Sequence, residues 1–198
     1  MARPRGPRFK QSRRFGVNIF GHPNELKRGA VDHRRVTEYG KQLMEKQKLK
    51  AYYGLSEKQM KRYMNEAFKE SRKGKGLIGE LAVARAEKRL DNMVYRAGFA
   101  SSLRQARQFV VHGHITINGN KVDIPSHIVN PTDVIGLTPR GDKLELIKEN
   151  LEITTVNVPY ITRDVDKKTA TFEREPERDE IPIELTDSLV VEFYSKSL

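Results

Sequence analysis

The sequence predicts an α+β fold, mainly helical in its first half and strand-rich after it. Three observations carry that reading. Apolar residues recur at helical spacing between Glu38 and His112. Past Gly113 the period falls to two around an Asn-Gly turn. Glycines and capping signals stand at the joints between the segments.

The chain opens with MARPRGPRFKQSRR, which holds six Lys or Arg and no acid. Such a segment has too little apolar surface for a core and is expected to be extended until something orders it. It reads as an arm that neutralises phosphates through Arg3, Arg5, Arg8, Lys10, Arg13 and Arg14, against the alternative of a solvated tail. Residues 16–35 continue irregularly through Gly21, Pro23 and Gly29, and Arg34 and Arg35 close the stretch as further basic candidates.

The first predicted helix, Glu38–Tyr53, scatters Lys41, Lys46, Lys48 and Lys50 around its circumference and has a weak apolar stripe. A helix polar on nearly all sides needs outside support, and packing on nucleic acid would supply it. After Gly54, Ser56 and Gln59 form a capping-box pattern ahead of Met60, Tyr63, Met64, Ala67 and Phe68. That stripe reads as core, with Lys58, Lys61, Arg62 and Lys69 on the outer face. Lys73-Gly74-Lys75-Gly76 ends the helix as a plain turn, since it lacks the strand and trailing Lys-Ser/Thr of a phosphate-binding loop. A third helix is predicted over 77–97, with Ile78, Ala82, Ala86, Leu90 and Val94 four apart and Gly98 as its cap. Ser102 and Gln105 open a shorter helix to about His112, stopped by Gly113.

Strands follow. His114-Ile115-Thr116-Ile117 and Lys121-Val122-Asp123-Ile124 flank Asn118-Gly119, a strong hairpin signal. Further strands are expected at Val134–Leu137 and over 143–147, joined through Pro139-Arg140-Gly141-Asp142. Residues 148–198 give no traceable topology; the run over 189–194 fits strand or helix.

Composition narrows the function. The 198 residues carry a net charge of +11, a pI near 9.8 and a mean hydropathy of −0.67. The excess of base points to a polyanionic partner. Residues 1–75 hold 21 Lys/Arg against 7 Asp/Glu, and residues 76–198 hold 16 against 19. The basic surface is therefore concentrated at the front, where a DNA-packaging protein would be basic throughout. With no cysteine, disulfides and thiolate zinc sites are excluded. No apolar run approaches the roughly 20 residues of a membrane span, and no apolar segment follows the basic start as in a secretory signal. A soluble, cytoplasmic protein is expected.

The most informative unit runs from Arg89 to Val129: two helices, a Gly-ended turn and the Asn-Gly hairpin. Leu103, Ala106 and Val110 form an inward face, and Arg104 and Arg107 lie one turn apart on a neighbouring one. Paired guanidinium forks suit phosphate oxygens. His112 and His114 follow at the helix end, and the hairpin tip offers Asn118, Asn120 and Lys121. An edge of Arg, His, Asn and Lys suits structured RNA read by shape and backbone. The gapped His pair, without cysteine or carboxylate partners, makes a poor metal site.

The stretch RLDNMVYRAGFASSLRQARQFVVHGHITINGNKVDIPSHIV resembles the RNA-binding domain named after the fourth protein of the bacterial small ribosomal subunit. GPRFKQSRRFG, EYGKQLMEKQKLKAYYG, EREPERDEI and the terminal VVEFYSKS are similar, in order, to blocks of that ribosomal protein family itself. The resemblance spans most of the chain. It implies an α+β fold in which a mainly helical domain, 38–88, is completed by about 180–198. A basic extended arm, 1–37, precedes it, and the RNA-binding domain with its strand-rich extension, 89–179, is inserted. It implies binding to small-subunit rRNA at a 5′-domain junction early in assembly, a place beside the fifth small-subunit protein where decoding accuracy is affected and, in some members, repression of the protein's own operon through mRNA. RNA contacts are implied for Arg13, Arg14, Lys46, Lys48, Arg62, Arg104, Arg107, His112, His114 and Lys121, and Lys50 is counted with them. Some members carry a Cys-x-x-Cys zinc pair near the start. Phe9 and Ser12 stand there in this chain, so neither zinc nor any cofactor is expected. The loop GHPNELKRGAVDHRR is shorter than in many members.

Two other classes compete. Pseudouridine synthases carry the same small domain and an Arg-Leu-Asp motif, matched by Arg89-Leu90-Asp91. Here those residues begin the RNA-binding module, and the residues after Ile147 are too few for a usual catalytic domain. A ribosome-rescue factor would share the central motif without the flanking blocks.

Overall fold

The computed structural model describes residues 7–22, 24–31, 36–154 and 158–196. Among them the chain is α+β, with eight α-helices and one five-stranded antiparallel sheet. The described residues up to Val83 and from Pro182 onward form one compact unit, and Ala84–Ile181 form the other.

The first unit begins with a departure from expectation. Residues expected to be extended form helix α1 (Arg8–Phe15), ended by Gly16. Charge counting missed what this segment can bury. Phe9 lies against His22 with ring centroids 4.9 Å apart, Ser12 is buried, and Ile19 and Glu25 are buried beyond the helix. The Val31 N–H donates to the Arg13 carbonyl at 2.8 Å, so the chain folds back on α1. Arg13 and Arg14 fall in the last turn, where cations suit the helix dipole. Arg3, Arg5, Arg34 and Arg35 lie outside the described residues.

Helix α2 (Glu38–Tyr53) starts at Thr37, whose hydroxyl accepts the Gly40 N–H. Helix α3 (Glu57–Ser71) carries the expected capping box between Ser56 and Gln59, and Met60, Tyr63, Met64 and Ala67 are buried. The ambiguous run near the C-terminus is helix α8 (Asp187–Ser195), packed against α2 and α3. Gln42 of α2 donates to Glu192 of α8 at 2.8 Å. The support that α2 lacks in its own sequence thus comes from the far end of the chain.

The single helix expected over 77–97 is two: α4 (Ile78–Glu87) and α5 (Leu90–Arg96). Arg89 between them is extended and bridges Ile128. The Leu90 and Asp91 N–H groups donate to His127 and Pro125 rather than to their own helix. Spacing by four persists across the break, so the apolar pattern alone cannot reveal it. Helix α6 (Leu103–Val111) packs against α5.

Strands β1 (Ile115–Ile117) and β2 (Asn120–Lys121) pair through Asn118 and Gly119, both with positive φ as a type I′ turn requires. Strand β3 (Val134–Leu137) has the expected bounds. The strand expected over 143–147 is instead the start of helix α7 (Glu145–Ile153). Leu146 is exposed, while Ile147, Asn150 and Leu151 face inward at helical spacing. Strands β4 (Ile161–Asp164) and β5 (Thr169–Phe172) complete the sheet order β2-β1-β3-β5-β4. Leu90, Met93, Val94, Phe99, Val110 and Ile115 belong to its core.

Candidate nucleic-acid interface

Helix α6 presents the expected arginines differently from the sequence reading. Ser102 caps it by accepting the Gln105 N–H at 3.3 Å, while the Gln105 side chain turns to the Ser101 N–H and hydroxyl rather than to Ser102. Ala106, Phe109 and Val110 are buried, which fixes the helix rotation. Arg104 is then exposed, whereas Arg107 faces α5 with a side chain only 18% exposed. It donates to Asp91 Oδ2 through Nε at 2.8 Å and Nη2 at 2.6 Å. Asp91 also receives Arg89 Nε at 3.0 Å and Nη2 at 2.7 Å, and both Arg89 and Asp91 are fully buried. The two guanidinium groups of α6 therefore do not project together. Arg107 is a structural clamp.

The same burial decides the Arg-Leu-Asp motif. A catalytic carboxylate must reach its substrate, and Asp91 is enclosed and bidentately held. It makes no helix-surface contact; it links α5 to α6 inside the unit. Beside it, the buried Glu87 takes Arg96 at 2.6 Å and the Tyr160 hydroxyl at 2.7 Å.

At the end of α6, His112 is exposed and His114 half-buried, with their rings 6.0 Å apart. Gly113, at φ 70° in the left-handed region, lets the chain turn between them. The Lys121 stem crosses this glycine so closely that a β-carbon there would collide with it. From the other side, the Thr138 N–H donates to the His114 carbonyl at 2.9 Å and its hydroxyl to the Gly113 carbonyl at 3.2 Å. Gly141 lies against the His114 carbonyl, where a side chain would clash. Burial, and after it the charges of His112, Arg140 and Lys121, hold the His114 imidazole below its ordinary pKa. Arg140, read in the sequence only as part of a connecting turn, thus joins this group. Its signal was a basic residue between Pro139 and Gly141 in that turn. Asn118 belongs to the fold: its side chain donates to Asp133 at 2.8 Å and accepts the Val134 N–H at 2.9 Å.

In the helical unit, three expected RNA contacts are engaged internally. Lys46 is 6% exposed, lies 4.2 Å above the Phe193 ring and reaches Glu57 at 3.1 Å. Lys48 pairs with Glu45 at 2.7 Å with both side chains largely covered, and Lys50 pairs with Glu57 at 2.6 Å. Partial burial acts to raise the Glu57 pKa, but hydrogen bonds from Lys50, Tyr194 and Lys46 outweigh it and hold the group at about 2. The two pairs on Glu57 fasten α2 to α3, Lys48–Glu45 lies within α2, and the Tyr194 hydroxyl and Phe193 ring bring α8 to the same cluster, so the polar circumference of α2 needs no RNA to explain it. Arg62 remains exposed, 4.0 Å from Glu66. On α1, Lys10 and Arg14 are exposed, Arg8 is half-buried and Arg13 donates to the Gly29 carbonyl at 3.0 Å. Phe9 and Ser12 are packing residues, and no three His, Asp or Glu gather around a common point among the described residues. No helix of those residues is long and apolar enough to cross a membrane.

Comparison with known proteins matches residues 3–87 to the Ribosomal protein S4/S9 N-terminal domain and residues 88–135 to the S4 domain. The small ribosomal subunit protein uS4 of Finegoldia magna is 52% identical, covering 99% of this chain and 100% of its own length. The uS4B protein of Clostridium acetobutylicum is 47% identical over 100% of both chains. The uS4 protein of Halalkalibacterium halodurans is 45% identical over 99% of this chain and 100% of its own. With both domain models matched in order and full-length relatives at this identity, the chain belongs to the uS4 family of small ribosomal subunit proteins.

Proposed function

We propose that this ribosomal protein is a primary binder of small-subunit rRNA, seated at a 5′-domain junction, and that it nucleates folding of the subunit body. The observation that carries the reading is the division of its cations. One set is locked into internal ion pairs, as at Asp91 and Glu57, and another stands on the surface of the same two units. Phosphate backbone contacts are the work of the second set. We assign rRNA contacts to Lys10, Arg14, Arg62, Arg104, His112, His114 and Lys121, with the basic residues 3, 5, 34 and 35 as further members. Arg107, Lys46, Lys48, Lys50 and Asn118 serve RNA binding indirectly, by holding the elements that carry those contacts.

The domain organisation follows the same reading: a basic start over 1–37, a helical domain 38–88 completed by 180–198, and the RNA-binding domain 89–179 between. Placement beside the fifth small-subunit protein, an influence on decoding accuracy, repression of the protein's own operon through mRNA, a cytoplasmic location and freedom from zinc come from the family resemblance. The acidic patch over 173–180 is partly neutralised within the chain, by Lys88 on Glu175 and Arg174 on Glu180. Glu173, Glu177 and Asp179 stay exposed, and a basic neighbouring protein is their proposed partner.

Titration against the 5′-domain fragment of small-subunit rRNA, with a folded RNA of equal length as competitor, tests the central claim. Tight binding that survives competition supports it. Binding that the competitor abolishes reduces the protein to a generic basic RNA binder.

A further inference from the structure

Within the unit Ala84–Ile181, most basic side chains are already neutralised. Arg89 and Arg107 are on Asp91, Arg96 on Glu87, Lys88 on Glu175, Lys148 on Glu145 and Lys168 on Asp142. Lys121, Arg140 and Lys143 are different: all three are exposed, and none has a hydrogen-bond or ion-pair partner among the described residues. Their positions are not scattered. Lys121 lies across Gly113, and Arg140 and Lys143 sit on the turn that Thr138 ties to Gly113 and His114. The acid of that turn, Asp142, is occupied by Lys168 from across the β4–β5 connection, so it does not cancel its neighbours.

Like charges brought together without counter-ions cost free energy in the unbound protein, and an arriving anion recovers that cost. The fold spends two close glycine contacts, at Gly113 and Gly141, on holding this corner together. His114 adds a ring nitrogen, Nδ1, that is buried without a hydrogen-bond partner. We infer that the corner formed by the 112–114 turn, Lys121 and the 139–143 turn is a backbone-phosphate site for rRNA, with Arg140 and Lys143 as contacts that neither motif nor spacing marks. The inference rests on the rRNA-binding reading above and names where in this unit the phosphates sit. Arg140 supplies the planar fork that can take two phosphate oxygens, and Lys121 and Lys143 supply point charges.

The test uses the full chain and the 5′-domain rRNA fragment, with affinity followed against salt. The double variant Arg140→Gln plus Lys143→Gln should bind about tenfold or more weakly near physiological salt, with the log–log slope reduced by about 1.4–1.8, the loss of two phosphate contacts. Arg174→Gln, which removes a cation paired with Glu180 beyond the opposite end of strand β5, should leave the slope unchanged. Thermal stability of the double variant should match the parent, because neither side chain has a partner among the described residues. If the parent binds the fragment selectively and the double variant keeps the parental slope, the corner is not a phosphate site, although the rRNA-binding reading stands. If the parent itself shows no selective binding, both fall together.

Discussion

Asp91 and Glu57 are each gripped by two cations, one in each unit of the molecule, yet their surroundings differ. Asp91 is fully enclosed with Arg89, and the Arg107 side chain that completes the triad is largely covered. Glu57 keeps 48% of its side chain in solvent while Lys46 and Lys50 fold over it. A buried carboxylate is tolerated only with its partners in place, and removing one leaves a charge in a medium that cannot solvate it. A half-exposed carboxylate can fall back on water, so its partners matter less. The comparison teaches that a basic residue's role here depends on the burial of the acid it meets, which its position in the chain does not disclose.

The largest effect should come from Asp91→Ala, which takes from the buried Arg89 the carboxylate it grips through two hydrogen bonds. A loss of about 3–5 kcal/mol in urea unfolding is expected. A loss below about 1 kcal/mol would falsify the contrast between the two clusters. Next, Arg107→Ala should cost about 1.5–3 kcal/mol, the scale of hydrogen bonds to a charged group, because Asp91 loses one of its two guanidinium partners and keeps Arg89. Arg104→Ala, one turn away and exposed, should act mainly on rRNA affinity. Comparing the two variants in unfolding and in RNA titration checks the division; equal effects on binding at matched folded fraction would put Arg107 back on the RNA face.

Glu57 should give a smaller, pH-dependent effect. Its carboxyl is held at about 2 in the folded state against an ordinary value of 4.5, so the unfolded chain binds its proton first as pH falls. The stability it contributes is complete above pH 4.5 and is lost progressively toward pH 2. Solvent screening limits that contribution to about 1 kcal/mol or less. Glu57→Gln should flatten the acid limb of the stability curve, and an unchanged limb between those values would show that the two lysines and Tyr194 do not hold the carboxylate. The smallest effect concerns His114. Arg140→Gln should move its titration upward toward the ordinary histidine value, since one of the charges opposing protonation is gone. Titration by NMR reads this directly, and no movement would place Arg140 away from the ring.

Much of the fold was legible in the sequence where the signal is local. The Ser56–Gln59 capping box, the Asn118-Gly119 turn and strand β3 depend on hydrogen bonds and dihedrals within a few residues and formed as read, whereas the returning strand expected over 121–124 is only Asn120–Lys121. The break at Arg89 was not legible, because the carbonyls that take the Leu90 and Asp91 N–H groups belong to residues 125–127. Helix α1 was hidden by its own charge. Its stabilising contacts lie with His22 and Val31, in a stretch without periodicity.

The same distinction governs the interface. The sequence by itself determined the α+β class, the basic excess at the front and the resemblance that the comparisons bear out, since these follow from composition, local pattern and ordered motifs. Tertiary structure alone decided which cations are available to RNA. Arg104 and Arg107 look equivalent along the chain, but packing of α5 on α6 aims one at Asp91 and leaves the other exposed. Lys46 loses its surface for the same reason, and Arg140 and Lys143 have no partner among the described residues while Lys168 takes their neighbouring acid. Charge is written in the residue, but its neutralisation is a matter of distance, and distance between remote residues is set only when the chain folds.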